Sequence, residues 1–409
     1  MSTGFAVVGV RNFAATHIEN IGKLEEKGEG IKLTGVVIKN QIKNLEKTRE
    51  LRGRGVKIFD SYEDLLRNGK GHVDVISLPV GIPDHAPMAA KAMRAGFDVL
   101  LEKPPAPTVD QIDKLMEIER KTGRFCSIGF QFIHSRSIRR LKSLLIEGKI
   151  GRIKDIATKG YWPRFRSYYD RNPWAGKSIL EGRLVLDGPM HNALAHYLNN
   201  MIFLASSELD RSAKLKTVRA ELYRGHSYIE ADDTSCLQAE TADGIQINFY
   251  VNHTSREMEN PYMEIRGEKG KATWRYDEST SLELESGEKM EFGNQGVDPW
   301  LEVLRVTAAV HREEISKPYC NLENCRSFVV AINGAYESSR YIRSIPSDFV
   351  EEYETEQGEF KTVVEGIGDK MDRAFEGRKT LSEIGVSWAE ETPVVDVEDY
   401  DSFSPFEAV

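Results

Sequence analysis

The stretch Val73–Thr108, VDVISLPVGIPDHAPMAAKAMRAGFDVLLEKPPAPT, decides the fold of this chain. Two short apolar runs, VDVISLP and DVLLE, flank a segment with Pro83 near its start and Gly96 at its end. Proline early and glycine late are typical of an α-helix, and the alanines between them permit close packing on a sheet. The stretch therefore predicts a strand, a helix and a second strand of one parallel sheet.

The same alternation continues on both sides of this unit. Between residue 5 and about residue 130, the β-rich runs FAVVGV, KLTGVVI, VKIF and FCSIGFQ are separated by amphipathic segments. One of these segments predicts a helix with Thr108 as its N-cap and Gly123 as its stop. Because apolar strands joined by helices are typical of a parallel sheet covered on both faces, we predict a doubly wound α/β domain.

A different rhythm begins after about residue 150. β-rich runs follow at shorter spacing with hairpin-like turns at ADG and EKGK, and two helical segments accompany them, GPMHNALAHYLNNMIFLAS and NLENCRSFVVAINGAYESSRYIRSI. We predict an α+β domain with an open, mainly antiparallel sheet. Because an open sheet face is often buried against another subunit, we expect a homodimer or homotetramer through this sheet.

Length and composition set the outer bounds. The chain has 409 residues, more than the ~250 to 300 at which one core usually stops growing. We expect a first domain over 1–130, a second over 131–390, and an acidic tail over 391–409 that is flexible or docks on a neighbour. The net charge of −9 argues against a nucleic-acid partner. Since no apolar run reaches the ~18 residues of a membrane span, we expect a cytoplasmic protein without a membrane partner.

Four cysteines, Cys126, Cys236, Cys320 and Cys325, are too few for a disulfide framework in a chain of this length and lack the ligand pairs of a zinc site. We expect all four to be reduced structural residues. No metal site is predicted.

The opening run FAVVGVRNFAATHIENI, residues 5–21, has the layout of a dinucleotide-binding loop. Gly9 supplies the tight turn and Ala14 is small enough for close helix packing, but Arg11 stands where a second glycine is usual. Asn12 tolerates the left-handed region, so the bend is expected one residue later. An ordinary structural turn explains the same run.

Two lysines follow predicted strands. Lys39 ends the second strand where an acid would hold the ribose of NAD, and a cation there suits the 2′-phosphate of NADP. Lys103 ends the fifth strand, at the sheet edge where open α/β sheets bind ligands. The alternative for each is a solvated surface lysine.

The segment LVLDGPMHNALAHYL joins a carboxylate to an imidazole. If a helix begins near Gly188, Asp187 is its N-cap and His191 lies in its first turn, where the carboxylate can orient the ring for acid-base chemistry. Asn192 and His196 would share one helix face. A capping aspartate with an incidental histidine is the alternative.

The segment YWPRFRSYYDRNPWAGK is rich in aromatic and arginine side chains that suit a polyhydroxylated ring. Subunit or membrane contact could use the same residues. The substrate candidates, with two from the preceding segment, are Tyr161, Trp162, Arg164, Tyr169, Arg171, Trp174, Asn192 and His196. Arg164, Arg166 and Arg171 would suit an acidic sugar, although solvated arginines explain them equally.

Taken together, these positions resemble the glucose-fructose oxidoreductase and inositol dehydrogenase family, Gfo/Idh/MocA. Val73–Thr108 looks like its hallmark, a strand ending in Pro, a His-containing helix and a strand ending in Glu-Lys-Pro. EGKIGRIKDI resembles the start of its second domain, DGPMH the Asp-x-x-x-His of its active site, and NLENCRSFVVAINGAYESS the late helix of many members. The resemblance covers the chain to about residue 390.

The resemblance implies a Rossmann-type first domain and a catalytic group of Lys103, Asp187 and His191. His191 would take the hydroxyl proton of a ring alcohol that loses hydride, while Lys103 and Asp187 position the hydroxyl. The implied cofactor contacts are Gly9, Arg11, Asn12, Phe13, Ala14, Lys39, Pro79, His85, Glu102 and Lys103.

The implied activity is that of an NAD(P)-dependent oxidoreductase acting on a sugar, cyclitol or related polyol, with NADP favoured over NAD by Lys39. Two alternatives remain open. Transient oxidation with catalytic NAD could assist glycoside cleavage, or the chain could be a nucleotide-sensing binding protein without turnover.

Overall fold

The computed structural model of the chain describes residues 2–404. Up to Ile128, strands and helices alternate as the apolar runs predict. The strands are β1 (Thr3–Val8), β2 (Ile31–Val37), β3 (Lys57–Phe59), β4 (Val75–Leu78), β5 (Asp98–Leu101) and β6 (Cys126–Ile128). The α-helices are α1 (Phe13–Glu26), α2 (Leu45–Gly53), α3 (Tyr62–Asn68), α4 (His85–Arg94) and α5 (Val109–Thr122).

These strands form a parallel sheet in the order β3-β2-β1-β4-β5-β6. Strands β1, β4 and β5 are buried along their whole length, as expected when helices cover both faces. The strand order reverses between β1 and β4, and such a switch point opens a ligand crevice at the carboxyl ends of the strands. The predicted doubly wound α/β domain is confirmed.

The rest of the described chain begins with α6 (Arg136–Ile146), β7 (Ile153–Tyr161), α7 (Arg166–Asp170), β8 (Ile179–Leu180), β9 (Arg183–Leu184) and α8 (Ala195–Leu204). It continues with the strands β10 (Leu215–Arg224), β11 (Thr234–Thr241), β12 (Gln246–Asn252), β13 (Glu259–Gly267), β14 (Gly270–Arg275), β15 (Thr280–Leu284) and β16 (Lys289–Phe292). It ends with α9 (Pro299–His311), α10 (Leu322–Ser339), β17 (Arg343–Ser344), β18 (Val350–Glu354), β19 (Phe360–Val364), α11 (Ile367–Gly377) and β20 (Val395–Asp396).

The chain divides into two compact units. The first comprises the residues up to Ala106, Gln111–Ser135 and Val297–Cys325, and the second comprises Pro107–Asp110, Arg136–Gly296 and the residues from Arg326 onward. The sequence predicts a second domain that is continuous over 131–390. Helix α9 instead packs with the first unit, because Leu301, Leu304 and Ala308 belong to the same apolar core as β1 and β2.

The second unit is built on a ten-stranded sheet. Its order is β16-β15-β14-β13-β7-β12-β11-β10-β17, and β20 pairs with β10 as well. The pairs are antiparallel except β7 with β12 and β10 with β17, so the predicted, mainly antiparallel sheet is confirmed. The ADG turn joins β11 to β12, and Glu268 and Lys269 join β13 to β14, as the hairpin signals predict.

One face of this sheet is closed by the chain itself. Tyr161 of β7 and Tyr250 of β12 lie in one apolar cluster with Met371 and Phe375 of α11. Helix α8 contacts β7 and β12 as well. The amphipathic helix α11 therefore supplies apolar cover for these middle strands, which the sequence did not predict.

The described part of the predicted tail belongs to the second unit. Val395 and Asp396 of β20 pair with Val218 and Thr217 of β10, and the Tyr400 hydroxyl donates to Glu337 at 2.6 Å. Residues 391–404 thus include a strand of the sheet, and residues 405–409 of the tail lie outside the described residues. No helix among residues 2–404 is both long enough and apolar enough to cross a membrane.

Candidate active site

The turn after β1 has the geometry of a nucleotide-binding loop at its first glycine. Gly9 has a φ of 105°, a conformation that side chains rarely adopt. A Cβ added there would lie 3.4 Å from the Cβ of Ala14, so strand and helix approach closely at this point. Both residues therefore serve the packing role that the loop pattern predicts.

Asn12 carries the displaced bend. Its φ of 53° and ψ of −130° are those of the first central residue of a type II′ turn, rather than of the left-handed helical region that we expected. The Ala14 amide closes the turn by donating to the Arg11 carbonyl at 3.2 Å. Phe13 begins α1, whose free backbone N–H groups favour an anion.

The Arg11 side chain turns toward the segment after β2. Its Nε donates to the Oδ1 of Asn44 at 2.8 Å, and its Nη2 donates to the Lys43 carbonyl at 3.0 Å. Arg11 is exposed, and these bonds hold its guanidinium at the side of the ligand crevice, against the segment that follows β2. The side chain therefore leaves the backbone of the Gly9–Asn12 turn accessible.

A cleft of about 460 Å³ occupies this crevice of the first unit. It brings together four predicted cofactor contacts, Gly9, Arg11, Ala14 and Lys39, with the fifth, Pro79, on the opposite wall. Its floor is apolar, and Lys43 adds a third cation to Arg11 and Lys39. An apolar floor with cations on one rim suits a flat ring joined to phosphate groups.

Glu102 binds a protein side chain. Its Oε1 lies 3.0 Å from the Nε2 of His17 in α1, and the Nδ1 of His17 lies 2.8 Å from the Ser77 hydroxyl. Both residues are buried, and Gly129 makes room for the carboxylate, since a Cβ there would lie 2.6 Å from Oε1. Glu102 thus ties β5 to the helix that follows the opening loop.

His85 supports the turn after β5. Its Nδ1 lies 2.6 Å from the Pro104 carbonyl oxygen and its Nε2 lies 3.0 Å from that of Val80. Burial lowers the pKa of His85, so the ring is neutral and donates to one of these oxygens. Lys103, directly before Pro104, follows β5 at the carboxyl edge of the first sheet, as predicted.

In the second unit, Asp187 is held by two donors. The Gly176 amide donates to its Oδ2 at 2.7 Å, and the Asn192 side chain donates to its Oδ1 at 2.6 Å. The expected helix with Asp187 as N-cap is wrong, because α8 begins at Ala195 and residues 188–194 form turns. Leu186 has a φ of 55°, an uncommon conformation for a bulky residue that is often retained at functional sites.

His191 is buried on the loop that carries Asp187. Its Nδ1 lies 3.0 Å from the Leu186 carbonyl oxygen and 3.2 Å from that of Val185. We expected the carboxylate of Asp187 to orient the ring, but backbone carbonyls do so. Since a carbonyl only accepts, Nδ1 carries the proton of the neutral ring and Nε2 is the basic nitrogen. His196, also buried, lies in the first turn of α8 rather than on one helix face with Asn192.

The segment 161–177, rich in arginine and aromatic side chains, folds around Tyr168. This tyrosine was not predicted to contact the substrate. The guanidinium of Arg171 lies 3.5 Å from the centroid of this ring, and that of Arg164 lies 4.4 Å from it. Arg164 also stacks on Trp162 at 5.6 Å, and Arg171 on Trp174 at 5.4 Å. The structure therefore brings four of the predicted substrate residues together on one aromatic centre.

The other two tyrosine candidates differ in their surroundings. The Tyr161 hydroxyl donates to Asp372 at 2.8 Å, and its ring belongs to the core under α11. Because successive side chains alternate along a strand, Trp162 faces the opposite side and contacts Tyr197 of α8. Tyr169 is buried with its ring 5.1 Å from that of His226. Tyr161 does not share the stack around Tyr168, whereas the Tyr169 ring meets the Tyr168 ring edge to face at 5.1 Å.

Asp232 is a site residue that the sequence reasoning missed. A Cβ on Gly188, the residue after Asp187, would lie 2.1 Å from the Oδ1 of Asp232. The Tyr336 hydroxyl donates to the same oxygen at 2.8 Å, and burial raises the pKa of Asp232 to about 6. Adjacent acids before a buried β-rich run, ADDTSCL, were the available signal.

Two family models match the chain one after the other. The model of the Gfo/Idh/MocA oxidoreductase family, with an NAD-binding Rossmann fold, matches residues 3–130, and that of the Gfo/Idh/MocA C-terminal domain matches residues 138–273. Together they span well over half of the sequence. The chain belongs to the Gfo/Idh/MocA family.

Named relatives in this family match parts of the chain. A putative oxidoreductase YteT of Bacillus subtilis is 25% identical over 136 residues, which are 32% of this chain and 31% of that protein. A dTDP-3,4-didehydro-2,6-dideoxy-alpha-D-glucose 3-reductase of Actinomadura kijaniata is 33% identical over 103 residues, 25% of this chain and 30% of the reductase. Both matches span less than a third of the relative. Inositol 2-dehydrogenase of Salmonella typhimurium is 24% identical over 274 residues, 66% of this chain and 74% of the dehydrogenase.

Solved Gfo/Idh/MocA-like structures share the fold. The WlbA dehydrogenase from Bordetella pertussis, in complex with NADH and UDP-GlcNAcA, superposes with a TM-score of 0.67 at 20% identity over 83% of this chain and 97% of its own. An aldose-aldose oxidoreductase from Caulobacter crescentus, complexed with glycerol, superposes with a TM-score of 0.69 at 18% identity over 83% of this chain and 98% of its own. At such identities the likeness concerns the fold alone.

Proposed function

We propose that the protein is an NAD(P)-dependent oxidoreductase that acts on a hydroxyl or carbonyl group of a sugar, cyclitol or related polyol. The observation that carries the proposal is the orientation of His191. Its Nδ1 donates to backbone carbonyl oxygen 3.0 Å away, which makes Nε2 the proton acceptor of a buried ring. In an oxidoreductase family with an NAD-binding domain, such a ring suits alcohol oxidation.

The residues of the first unit fit a dinucleotide. The cleft of about 460 Å³ has room at the Gly9 turn, where the Arg11 side chain is drawn aside to Asn44. The Gly9, Asn12 and Phe13 backbone would hold the pyrophosphate, with Ala14 behind it and Pro79 on the far wall. The dinucleotide would supply hydride transfer when bound.

The chain's own groups would handle the proton. Nε2 of His191 takes the proton of the substrate hydroxyl, and Asp187 binds and orients that hydroxyl. The role of Lys103 in positioning the hydroxyl stays a prediction from the family resemblance. Asp187 is suited to this task because Gly176 and Asn192 hold its carboxylate in place. Glu102 and His85 support the Lys103 turn from behind, which makes them positioning residues.

NADP is the cofactor that we favour. Lys39, Lys43 and Arg11 line the rim beyond β2, and three cations there suit a 2′-phosphate better than an uncharged ribose. Thermal shift with NAD, NADP and their reduced forms tests this directly, since ligand at 100 times its Kd adds ~2.7 kcal/mol of stability. Lys39→Glu should reverse the NADP preference by at least about tenfold, whereas Lys47→Glu, at a residue that does not line the cleft, should not. Equal shifts with NAD and NADP would contradict the assignment.

Turnover tests the reaction itself. His191→Asn should lower kcat by about 100-fold or more and leave the thermal shift with dinucleotide in place, because a general base contributes ~10² to 10⁴ to the rate. Unchanged turnover would exclude His191 as the base. Conversion that needs catalytic cofactor and accumulates no reduced nicotinamide would indicate redox-assisted cleavage, and binding without any conversion would indicate a sensing protein.

We still propose a homodimer or homotetramer, with a different part of the second sheet as its interface. Because α11 covers the middle strands, an assembly through the sheet would have to use β13–β16 or its edges. Light scattering during size exclusion measures the state directly.

A further inference from the structure

Two guanidinium groups lie against the ring of Tyr168 in the second unit. Arg171 lies 3.5 Å from the ring centroid and Arg164 lies 4.4 Å from it. Arg171 also donates to the Tyr168 carbonyl oxygen, which fixes its side chain along the segment. Two cations are thereby kept close together although their charges repel each other.

These two arginines differ from Arg166, which lies between them in sequence. Arg166 has a carboxylate partner, Asp170, at 4.0 Å. Across the described residues 2–404, neither Arg164 nor Arg171 has a carboxylate within ion-pair distance, and the Nε of Arg164 is buried without a hydrogen-bond acceptor. A buried donor left without an acceptor costs free energy, so a site that keeps one is suited to an acceptor that arrives with a ligand.

The pair lies beside Asp187. Arg171 stacks on Trp174, and Gly176, two residues further on, donates its amide to Asp187 at 2.7 Å. Burial raises the pKa of Tyr168, and the charge of Asp187 is the second cause, which requires the carboxylate to be near this ring. Burial and the charge of Arg164 lower the pKa of His253 to about 3, so this neighbour adds no charge of its own.

We propose that Arg164 and Arg171 bind an anionic oxygen group of the substrate, so that the substrate class is an acidic sugar that bears a carboxylate or a phosphate. A planar guanidinium donates two parallel hydrogen bonds to either group. Contacts with the rings of Trp162, Tyr168 and Trp174 restrict the orientations of the two guanidiniums. This inference rests on the proposed function, because it places the anion next to the reacting hydroxyl.

The test compares matched sugars that differ only in the acidic group. Glucose, glucuronate and glucose 6-phosphate, and the corresponding galactose set, are assayed for kcat/KM with NAD and NADP and for binding by calorimetry to the enzyme with dinucleotide present. Wild-type protein should prefer at least one acidic member over its neutral counterpart by about tenfold or more. Arg164→Gln and Arg171→Gln should each reduce that ratio by about tenfold, Arg164→Lys should restore part of it, and Arg166→Gln should leave it intact.

The outcomes separate this inference from the proposed function. Turnover with no preference for an acid in either set overturns the acidic substrate and leaves the oxidoreductase standing. Acid binding that depends on Arg164, without reduction of nicotinamide by any sugar, supports the anion site and counts against the proposed reaction. A preference that Arg164→Gln and Arg166→Gln weaken equally overturns the assignment to this pair.

Discussion

Two neighbouring aspartates in the second unit show how residue partners decide protonation. Burial raises the pKa of Asp232 to about 6, and the hydroxyls of Ser235 and Tyr336 only partly offset this effect. Burial acts on Asp233 in the same direction, but hydrogen bonds from His226 and the Gly225 amide outweigh it and hold its pKa below the usual range. The pKa values of two adjacent aspartates are therefore shifted in opposite directions.

This contrast gives a pH prediction with a definite sign. A raised carboxyl pKa favours the folded state while the group is protonated, so the contribution of Asp232 is lost as pH rises from about 4 to about 6. Relative to Asp232→Asn, the wild-type free energy of unfolding should fall by roughly 3 kcal/mol over that window. Urea unfolding of both proteins at several pH values measures the difference.

Asp233→Asn is the matched control. Its lowered pKa contributes stability above the unfolded-state value and loses it as pH falls, so this variant should cost stability at neutral pH and cost less below about pH 4. Parallel pH profiles for the two variants would show that their environments do not differ as described.

At the scale of elements, one buried pair joins the opening helix to the strand before Lys103. His17 of α1 and Glu102 after β5 lie 3.0 Å apart and are both buried, and Ser77 of β4 completes the contact. Helix α1 and the carboxyl ends of β4 and β5 are thus linked by side chains that are 85 and 60 residues apart in sequence. The linkage fixes where the Lys103 turn lies relative to the Gly9 loop within the first unit.

Removing His17 should therefore cost stability. His17→Ala leaves the Glu102 carboxylate buried without this partner, and we expect a loss of about 1 to 3 kcal/mol in the free energy of unfolding. The exposed His72→Ala provides the control and should change stability by less than about 0.5 kcal/mol. Equal small effects of both substitutions would mean that the His17–Glu102 contact contributes nothing.

At the scale of the whole molecule, helix α11 covers one face of the middle strands of the second sheet. Met371 is fully buried against Tyr161 and Tyr250, and the following segment adds Leu381 and Val386 to the same cluster. The apolar cluster on this face thus forms within one chain, and we expect it to contribute stability without a second copy.

Met371→Ala tests this cover. It should lower the free energy of unfolding by about 2 to 5 kcal/mol, as truncations in packed cores do, whereas Met258→Ala, at a residue that is 68% exposed, should have little effect. Unfolding midpoints measured at protein concentrations about 100-fold apart complete the test. A midpoint that rises with concentration would mean that a second copy adds stability, and a rise that Met371→Ala abolishes would place that copy on this face.

Local patterns in the sequence determined much of this protein. Strands β1–β6, the helices between them, the hairpins of the second sheet and the Gly9 turn all follow from short-range periodicity and turn chemistry, which act over a few residues. The Glu-Lys-Pro and Asp-x-x-x-His stretches by themselves carry the resemblance to the family. Local patterns do not fix where a helix begins when turns compete with it. Residues 188–194, for example, form turns ahead of α8.

Only the tertiary structure decided which distant groups meet. It assigned Glu102 to His17, turned Tyr161 toward α11 and away from Trp162, moved α9 into the first unit, and placed Asp232 beneath the Asp187 turn. Each of these outcomes depends on pairing across many tens of residues and on which apolar face is left to be covered. Local propensity carries no information about such pairings, because burial of apolar surface is non-directional and many partners could satisfy it equally.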